Sequence, residues 1–267
     1  GWQDGWIRYN GQVYAYNEDI MTFLVMGVDN DDVVKKAKDG LSGGQADAMF
    51  LAVMNPHDKS VSIIAVNRNA MALVDVYDED GVYMGQYTKQ ITLQHGYGDG
   101  MELSCERSVA AVSRLFYNLP ISGYAAINMG AIPALNDAVG GVTVTVPEDM
   151  TQVDPSFAEG AAVTLTGDQA LKFTRYRDTE KDFSNNSRME RQKQYLVNFM
   201  GQAVKAMKAD MGLPVSLYQS LTDDMVTNLS LDRSVYLATE AMDMHFTADG
   251  IVSLKAKSKK IGEHTSE

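Results

Sequence analysis

The chain has 267 residues, 45% of them apolar and 22% charged, with a formal net charge of −12 and one cysteine, Cys105. This gives ample core material for one large domain or two. The acidic balance argues against broad attraction to nucleic acid or anionic lipid, so an anionic ligand needs a local cationic cluster. One cysteine excludes an intrachain disulfide and a thiolate metal cage, while no run approaches the roughly eighteen to twenty apolar residues of a membrane span and no signal-peptide pattern occurs.

In chain order, "DIMTFLVMGVD" (19–29), "ADAMFLAVMN" (46–55) and "SVSIIAVNRN" (60–69) are apolar runs of buried-strand length containing β-branched residues. The turn-rich "NPHDKS" predicts that the second and third are antiparallel neighbours. "ALVDVYDEDGVYMGQY" (72–87) alternates about Asp80-Gly81 and predicts a hairpin. "MELSCERSVAAVSRLFYNL" (101–119) stops before Pro120 and carries Val109, Val112, Leu115 and Phe116 at helical spacing, which predicts a helix over a sheet face.

"SGYAAINM" (122–129) and "GGVTVTV" (140–146) read as strands around a short helix, "AIPALNDAV", that Gly140 ends. Thr166 with Gln169, and Ser187 with Glu190, have the spacing of capping boxes. The second box predicts a helix from about Arg188 towards Met211, and "LDRSVYLATEAMDM" (231–244) predicts a last one. No repeat or Pro/Gly-rich linker divides the chain, so the expected fold is a single α/β domain with helices on a mixed central sheet.

Four of the nine arginines, Arg175, Arg177, Arg188 and Arg191, fall in "FTRYRDTEKDFSNNSRMERQ". In an extended segment Arg175 and Arg177 point the same way, and Arg188 and Arg191 share the first turn of the predicted helix. Cations at a helix start oppose its dipole unless an anion is present, so the cluster suits a phosphate, with Gln192 and Asn185 or Asn186 as further donors. A solvated helix end, neutralised by Asp178, Glu180, Asp182 and Glu190, stands beside that reading.

Asp29 ends the first predicted strand, Asp47 begins the second and Arg68 ends the third, where sheets commonly present functional groups. Paired carboxylates there suit a hard divalent cation; turn and capping aspartates are the alternative. "DNDDVVKKAKDG" lacks the glycine an EF-hand loop needs, the four histidines have no zinc spacing, and "HGYGDG" matches no nucleotide-binding loop.

Taken together, "FLVMGVD", "GGQADAMFLAVMNPHDKSVSIIAVNRN", "LNDAVGGVTVTVP", "LTGDQALKFTRYRD" and "DFSNNSRMERQKQYL" resemble the LytR-CpsA-Psr family of bacterial cell-wall enzymes, over roughly residues 20 to 205. The resemblance implies an α/β domain with helices on both sides of the sheet, at 20–250, between a lead-in (1–19) that follows a membrane anchor and a polar tail (251–267). It implies transfer of a glycopolymer, such as teichoic acid or capsular polysaccharide, from a polyprenyl diphosphate carrier to peptidoglycan by an extracellular domain on a single-pass anchor. Nucleic acid is not an expected partner.

By motif, Asp29 and Asp47 would be the Mg2+ carboxylates, and Arg68, Arg175, Arg177, Arg188, Arg191 and Gln192 the pyrophosphate clamp. Arg68, Arg177, Arg188 and Asp47 would be the catalytic set. The sequence departs from the family pattern at Gln45, where arginine is usual, at Asn69, where a carboxylate is common, and in the longer "DFSNNSR". These departures bear on turnover more than on ligand binding, so a carrier-binding protein without transfer, or a pyrophosphate hydrolase, are the alternative functions.

Overall fold

The computed structural model describes residues 6–16, 19–29, 44–181, 184–248 and 258–260. The acidic stretch at 30–43, where the EF-hand spacing fails, and Asp182 lie outside the described residues.

A hairpin of β1 (Trp6–Tyr9) and β2 (Gln12–Tyr16) leads into the three apolar runs, which form β3 (Met21–Val28), β4 (Ala46–Asn55) and β5 (Ser60–Ala65). β4 pairs antiparallel with both β3 and β5, as the turn between β4 and β5 predicts. β6 (Met71–Tyr77) and β7 (Tyr83–Gln90) make the expected hairpin, and Gly81 at its tip has φ 76°, a region that favours glycine. α1 (Glu102–Leu115), β8 (Gly123–Asn128) and α2 (Ile132–Ala138) follow. Gly140, at φ 90°, ends the last of these with its N–H on the Asp137 carbonyl at 3.0 Å.

β9 (Thr143–Thr145) and β10 (Ala162–Thr164) form a separate small ribbon. Next come α3 (Gly167–Arg175), α4 (Ser184–Ala209), α5 (Leu213–Ser220), β11 (Met225–Thr227), α6 (Leu231–Ala241) and β12 (His245–Thr247). β13 (Ser258–Lys260) pairs with β2, so part of the stretch read as a polar tail returns to the lead-in hairpin.

The main sheet has the order β11-β8-β3-β4-β5-β12 and is mixed: β3 runs parallel to β8 and β5 to β12, and the other pairs are antiparallel. Helices cover both faces, which is why its strands are continuous apolar runs and not alternating ones. Leu24, Met26, Met49 and Leu51 meet Ala111 and Val112 of α1 on one face. Phe23, Phe50 and Ile63 meet Leu196 and Met200 of α4 and Leu237 of α6 on the other. Each such side chain contributes about 1.5–3 kcal/mol when buried, so the strand ends between these layers are firmly held. A third cluster, including Val144, Phe157, Phe173 and Tyr195, packs the β9–β10 ribbon and α3 against α4.

Two expectations fail around the arginines. α4 begins at Ser184, so Ser187 lies inside the helix and forms no capping box, and Arg188 and Arg191 stand beyond the four free amides of the helix start. Serine and asparagine disfavour helix when their side chains compete for the backbone. Here the competition is removed, because Ser184 Oγ accepts from Arg177 and Asn185 Oδ1 from Arg188. The second failure is the extended Arg-x-Arg segment: Arg175 is the last residue of α3, and the chain leaves the helix at Tyr176, with φ −56° and ψ 136°. The Thr166 box does form, with Gln169 Oε1 accepting from the Thr166 N–H at 3.0 Å.

Candidate functional site

The site starts at one end of the sheet. β3 and β4 stay in register from Met21 opposite Met54 to Gly27 opposite Ala48, and then Val28 pairs with Ala46. Asp47 is therefore the extra residue of a β-bulge, a device that turns a side chain out of the regular alternation. Its Oδ1 accepts from Arg68 Nη1 at 2.7 Å, while Gln45 Oε1 accepts from Arg68 Nη2 at 2.7 Å. The pair is well shielded, with the Arg68 and Asp47 side chains 16% and 23% exposed. The Thr92 N–H, 3.1 Å from the Arg68 carbonyl, fixes the backbone behind it.

The other half comes from α3 and α4. Arg175 pairs through Nη2 with Asp29 Oδ1 at the end of β3. Arg177 Nε donates to Ser184 Oγ at 3.1 Å, and Arg188 Nη2 donates to Asn185 Oδ1 at 2.9 Å. Burial, then the charge of Arg68, and further Arg177, push the Arg188 guanidinium below the usual arginine pKa, against the pull of Asp47 and Asp29. These groups therefore feel one another across a single site, in which the guanidinium groups of Arg68, Arg175, Arg177 and Arg188 outnumber the carboxylates of Asp29 and Asp47. Excess positive charge gathered in a partly shielded site, with Arg177 open to solvent, is relieved by an anion, and guanidinium forks match phosphate oxygens in bidentate fashion.

Two residues of the expected clamp face elsewhere. Arg191 is only 1% exposed and donates both Nη groups to the carbonyls of Phe173 and Tyr176, at the C-terminal end of α3 where helix carbonyls lack partners. Burial pushes its pKa down to about 10 although Glu148, at 3.8 Å, opposes the shift. Arg191 thus ties the end of α3 to α4 and sets where Arg175 and Arg177 emerge. Gln192 also turns inward, with Nε2 donating to the Thr174 carbonyl at 3.2 Å.

Gln192 and Thr174 belong to the wall of an apolar cavity of about 120 Å³, otherwise built from residues such as Phe50, Leu135, Leu196 and Phe199. Gly27 lies in that wall, where a Cβ would come within 3.2 Å of Ala48 Cβ and 3.3 Å of Met129 Cγ. Sequence reasoning did not find this cavity, since its side chains are of core type. A glycine inside an otherwise apolar strand is the one signal that marks a close approach there.

Asn69 is exposed, and its main-chain N–H donates to Asn67 Oδ1 at 2.9 Å. Asp29 and Asp47 do not form a ready metal cage: among the described residues no three His, Cys, Asp or Glu side chains are grouped to hold an ion. Each gives Oδ1 to an arginine, which leaves Oδ2 as a ligand atom. That donor set fits Mg2+, which is usually held by one or two carboxylates together with phosphate oxygens and water.

The family model described as the LytR_cpsA_psr family matches residues 7–265. The chain is 29% identical over 228 residues to a polyisoprenyl-teichoic acid–peptidoglycan teichoic acid transferase, TagU, of Enterococcus faecalis, covering 83% of this chain and 65% of the relative. It is 32% identical over 188 residues to the Bacillus cereus protein of the same name, covering 70% of this chain and 54% of the relative. The chain thus spans between half and two thirds of these relatives' lengths. Among solved structures, TagT bound to LI-WTA superposes with a TM-score of 0.63 at 19% identity, over 87% of this chain and 79% of that one. A Streptococcus agalactiae protein superposes with a TM-score of 0.68 at 20% identity, over 87% and 77%. With a mixed sheet between helical layers, an arginine cluster at its strand ends and a family match over nearly its whole length, the chain belongs to the LytR_cpsA_psr family.

Proposed function

We propose that this chain transfers an anionic glycopolymer of the teichoic acid kind from a polyprenyl diphosphate carrier to peptidoglycan. The observation that carries the reading is adjacency. Thr174 and Gln192 wall the apolar cavity, and Arg175, Arg177 and Arg188, their near neighbours on α3, the following turn and α4, form the cationic site. An apolar cavity joined to clustered guanidinium groups has the complementary chemistry of a lipid pyrophosphate. The printed names of the relatives, and TagT bound to LI-WTA, support the same substrate class.

In this reading the hydrocarbon tail lies in the cavity, where apolar burial contributes about 25 cal/mol per Å². Arg68, Arg177 and Arg188 bind the diphosphate and offset the charge that builds on the leaving phosphate. An acceptor hydroxyl oxygen bonds to the phosphorus that bears the glycopolymer, and the bond from that phosphorus to the bridging oxygen breaks, so polyprenyl phosphate leaves. Asp47 and Gln45 hold the Arg68 fork in place, and Arg191 holds the turn that carries Arg177. Asp29 and Asp47 would hold Mg2+, which when bound would supply further neutralisation of the diphosphate. Such chemistry implies an extracellular domain with a membrane anchor before residue 1; among the described residues no helix is long and apolar enough to cross a membrane.

The test is transfer from a polyprenyl-diphosphate-linked polymer to uncrosslinked peptidoglycan by the purified protein. Arg177→Ala and Arg188→Ala are each expected to reduce it at least about a hundredfold. Tight carrier binding by the wild type without product at any magnesium concentration would assign a carrier-binding protein instead.

A further inference from the structure

A second, smaller cavity, open to solvent, has the opposite character to the first. Its wall includes Glu148, Asp149, Gln152, Tyr176, Asp178 and Ser184, with Arg191 behind them. Three carboxylates against Lys181 and Arg191 leave it with an acidic excess, so it repels a phosphate and suits a neutral ligand rich in hydroxyl donors. Tyr176 supplies an aromatic face, and its hydroxyl accepts from Gln152 Nε2 at 3.0 Å, which holds the ring. Arg191 is 1% exposed, and among the described residues its Nε has no hydrogen-bond partner, the nearest carboxylate oxygen, on Glu148, being 3.8 Å away. An aromatic face, planar carboxylates and amides and an unsatisfied buried donor together make a saccharide-binding wall.

Its position relative to the arginines is ordered along two elements. On α4, Ser184 and Ser187 face this cavity, Arg188 joins the cationic site, and Gln192, Leu196 and Phe199 line the apolar cavity. Ser184 and Leu196 are about 18 Å apart along the helix axis, at 1.5 Å per residue. The α3 side repeats the order, with Thr174 in the apolar wall, Arg175 and Arg177 in the cationic site, and Tyr176 and Asp178 in the polar wall. Ser184 belongs to both neighbours, since it lines the polar cavity and accepts from Arg177 Nε at 3.1 Å.

We propose that the polar cavity between residues 148–152 and the start of α4 binds the acceptor saccharide, the hydroxyl-bearing sugar of the peptidoglycan strand. This rests on the transferase reading above. In-line displacement at phosphorus puts the attacking and leaving oxygens on opposite sides of the transferred group. With polyprenyl phosphate leaving towards the apolar cavity, the attacking hydroxyl enters from the polar one. Its oxygen bonds to phosphorus, the bridging P–O bond breaks with its electrons going to polyprenyl phosphate, and the hydroxyl proton passes to a wall carboxylate and on to solvent.

The test uses Gln152→Ala and Asp178→Asn, both at accessible polar positions, with folding checked by circular dichroism. Soluble glycan strands released from peptidoglycan are titrated into wild type and variants by NMR, and steady-state transfer is measured with acceptor and carrier varied in turn. The expected result is strand binding weakened at least tenfold and acceptor KM raised by the same factor, with carrier KM unchanged. Unchanged strand binding and acceptor KM would overturn the proposal, and a raised carrier KM alone would give the cavity to the first sugar of the donor polymer. Strand binding is read without turnover, so it still tests the cavity if the protein transfers nothing.

Discussion

Asp47 Oδ1 and Arg68 Nη1 stand 2.7 Å apart because a bulge in β4 leaves Asp47 as an extra residue facing the end of β5. The contact fixes one tooth of the Arg68 fork, and Gln45 fixes the other at 2.7 Å. Lysine offers a point charge where this geometry needs a planar fork. Arg68→Lys is therefore expected to lower transfer at least about a hundredfold while stability falls only by the loss of about one hydrogen bond, about 1 kcal/mol, as parallel activity and denaturation measurements would show.

Gln45 is a neutral acceptor, and it leaves Arg68 neutralised on one side only, by Asp47. Gln45→Arg adds a like charge beside Arg68 and removes an acceptor. Stability is expected to fall by about 1 kcal/mol, while inorganic pyrophosphate binds more tightly at low salt and loses that gain at high salt. Calorimetric titration at two ionic strengths reads both effects.

Arg191 carries the expected structural load of the site. Arg191→Met leaves the Phe173 and Tyr176 carbonyls without their donor and Glu148 without its ion-pair partner. At about 1–3 kcal/mol for each buried group left unsatisfied, the variant should unfold at clearly lower urea concentration. Its carrier affinity should also fall, because Arg175 and Arg177 lose their tether. A variant with wild-type stability and weakened pyrophosphate binding would mean that Arg191 contacts the ligand.

The apolar cavity can be filled from its wall. Ala48→Phe projects a ring beside Gly27, where even a Cβ is already crowded. Binding of a long-chain polyprenyl pyrophosphate should weaken at least about tenfold, or 1.4 kcal/mol. Inorganic pyrophosphate, which has no tail, should bind as before in the same fluorescence competition.

Burial, then the charges of Asp99, Glu102 and Glu106, push the Cys105 thiol from 9.0 up to about 12. Between these values the folded chain keeps a proton that the unfolded chain has released, so stability falls as pH rises through this window. The slope is up to about 1.4 kcal/mol per pH unit from this group. Urea denaturation at pH 8, 9.5 and 10.5 should show a steeper alkaline loss in wild type than in Cys105→Ala, and the native thiol should resist modification at pH 8.

β3, β4, β5 and β8 of the main sheet were legible as apolar runs, such as "FLVMGV", that suit a core element, whereas the three-residue edge strands β11 and β12 are too short to carry such a run and were not read. The hairpin at Gly81, the stop at Gly140 and the Thr166 box were legible from local turn and capping chemistry. Helix α4 was misread at its start because "SNNS" has the composition of a loop. In the fold Ser184 is engaged by Arg177, seven residues before it, and Asn185 by Arg188, three residues on along the same helix, and composition does not mark either contact.

The candidate site was legible as a set of residue types, and not in its division of labour. Arg188 and Arg191 share a helix and a charge, yet one faces the cluster and the other ends on the carbonyls of α3. Spacing alone does not separate them, since which face of α4 meets α3 is a tertiary fact. The bulge at Asp47 is equally hidden, because nothing in "GQADAM" marks the extra residue.

The central claim is that one ligand spans the cationic site and the apolar cavity. A crystal structure of the protein with a polyprenyl pyrophosphate tests it most directly. The diphosphate is expected against Arg68, Arg177 and Arg188, with the tail between Phe50, Leu135 and Phe199. A diphosphate bound away from these arginines, or a tail lying outside that cavity, would contradict it.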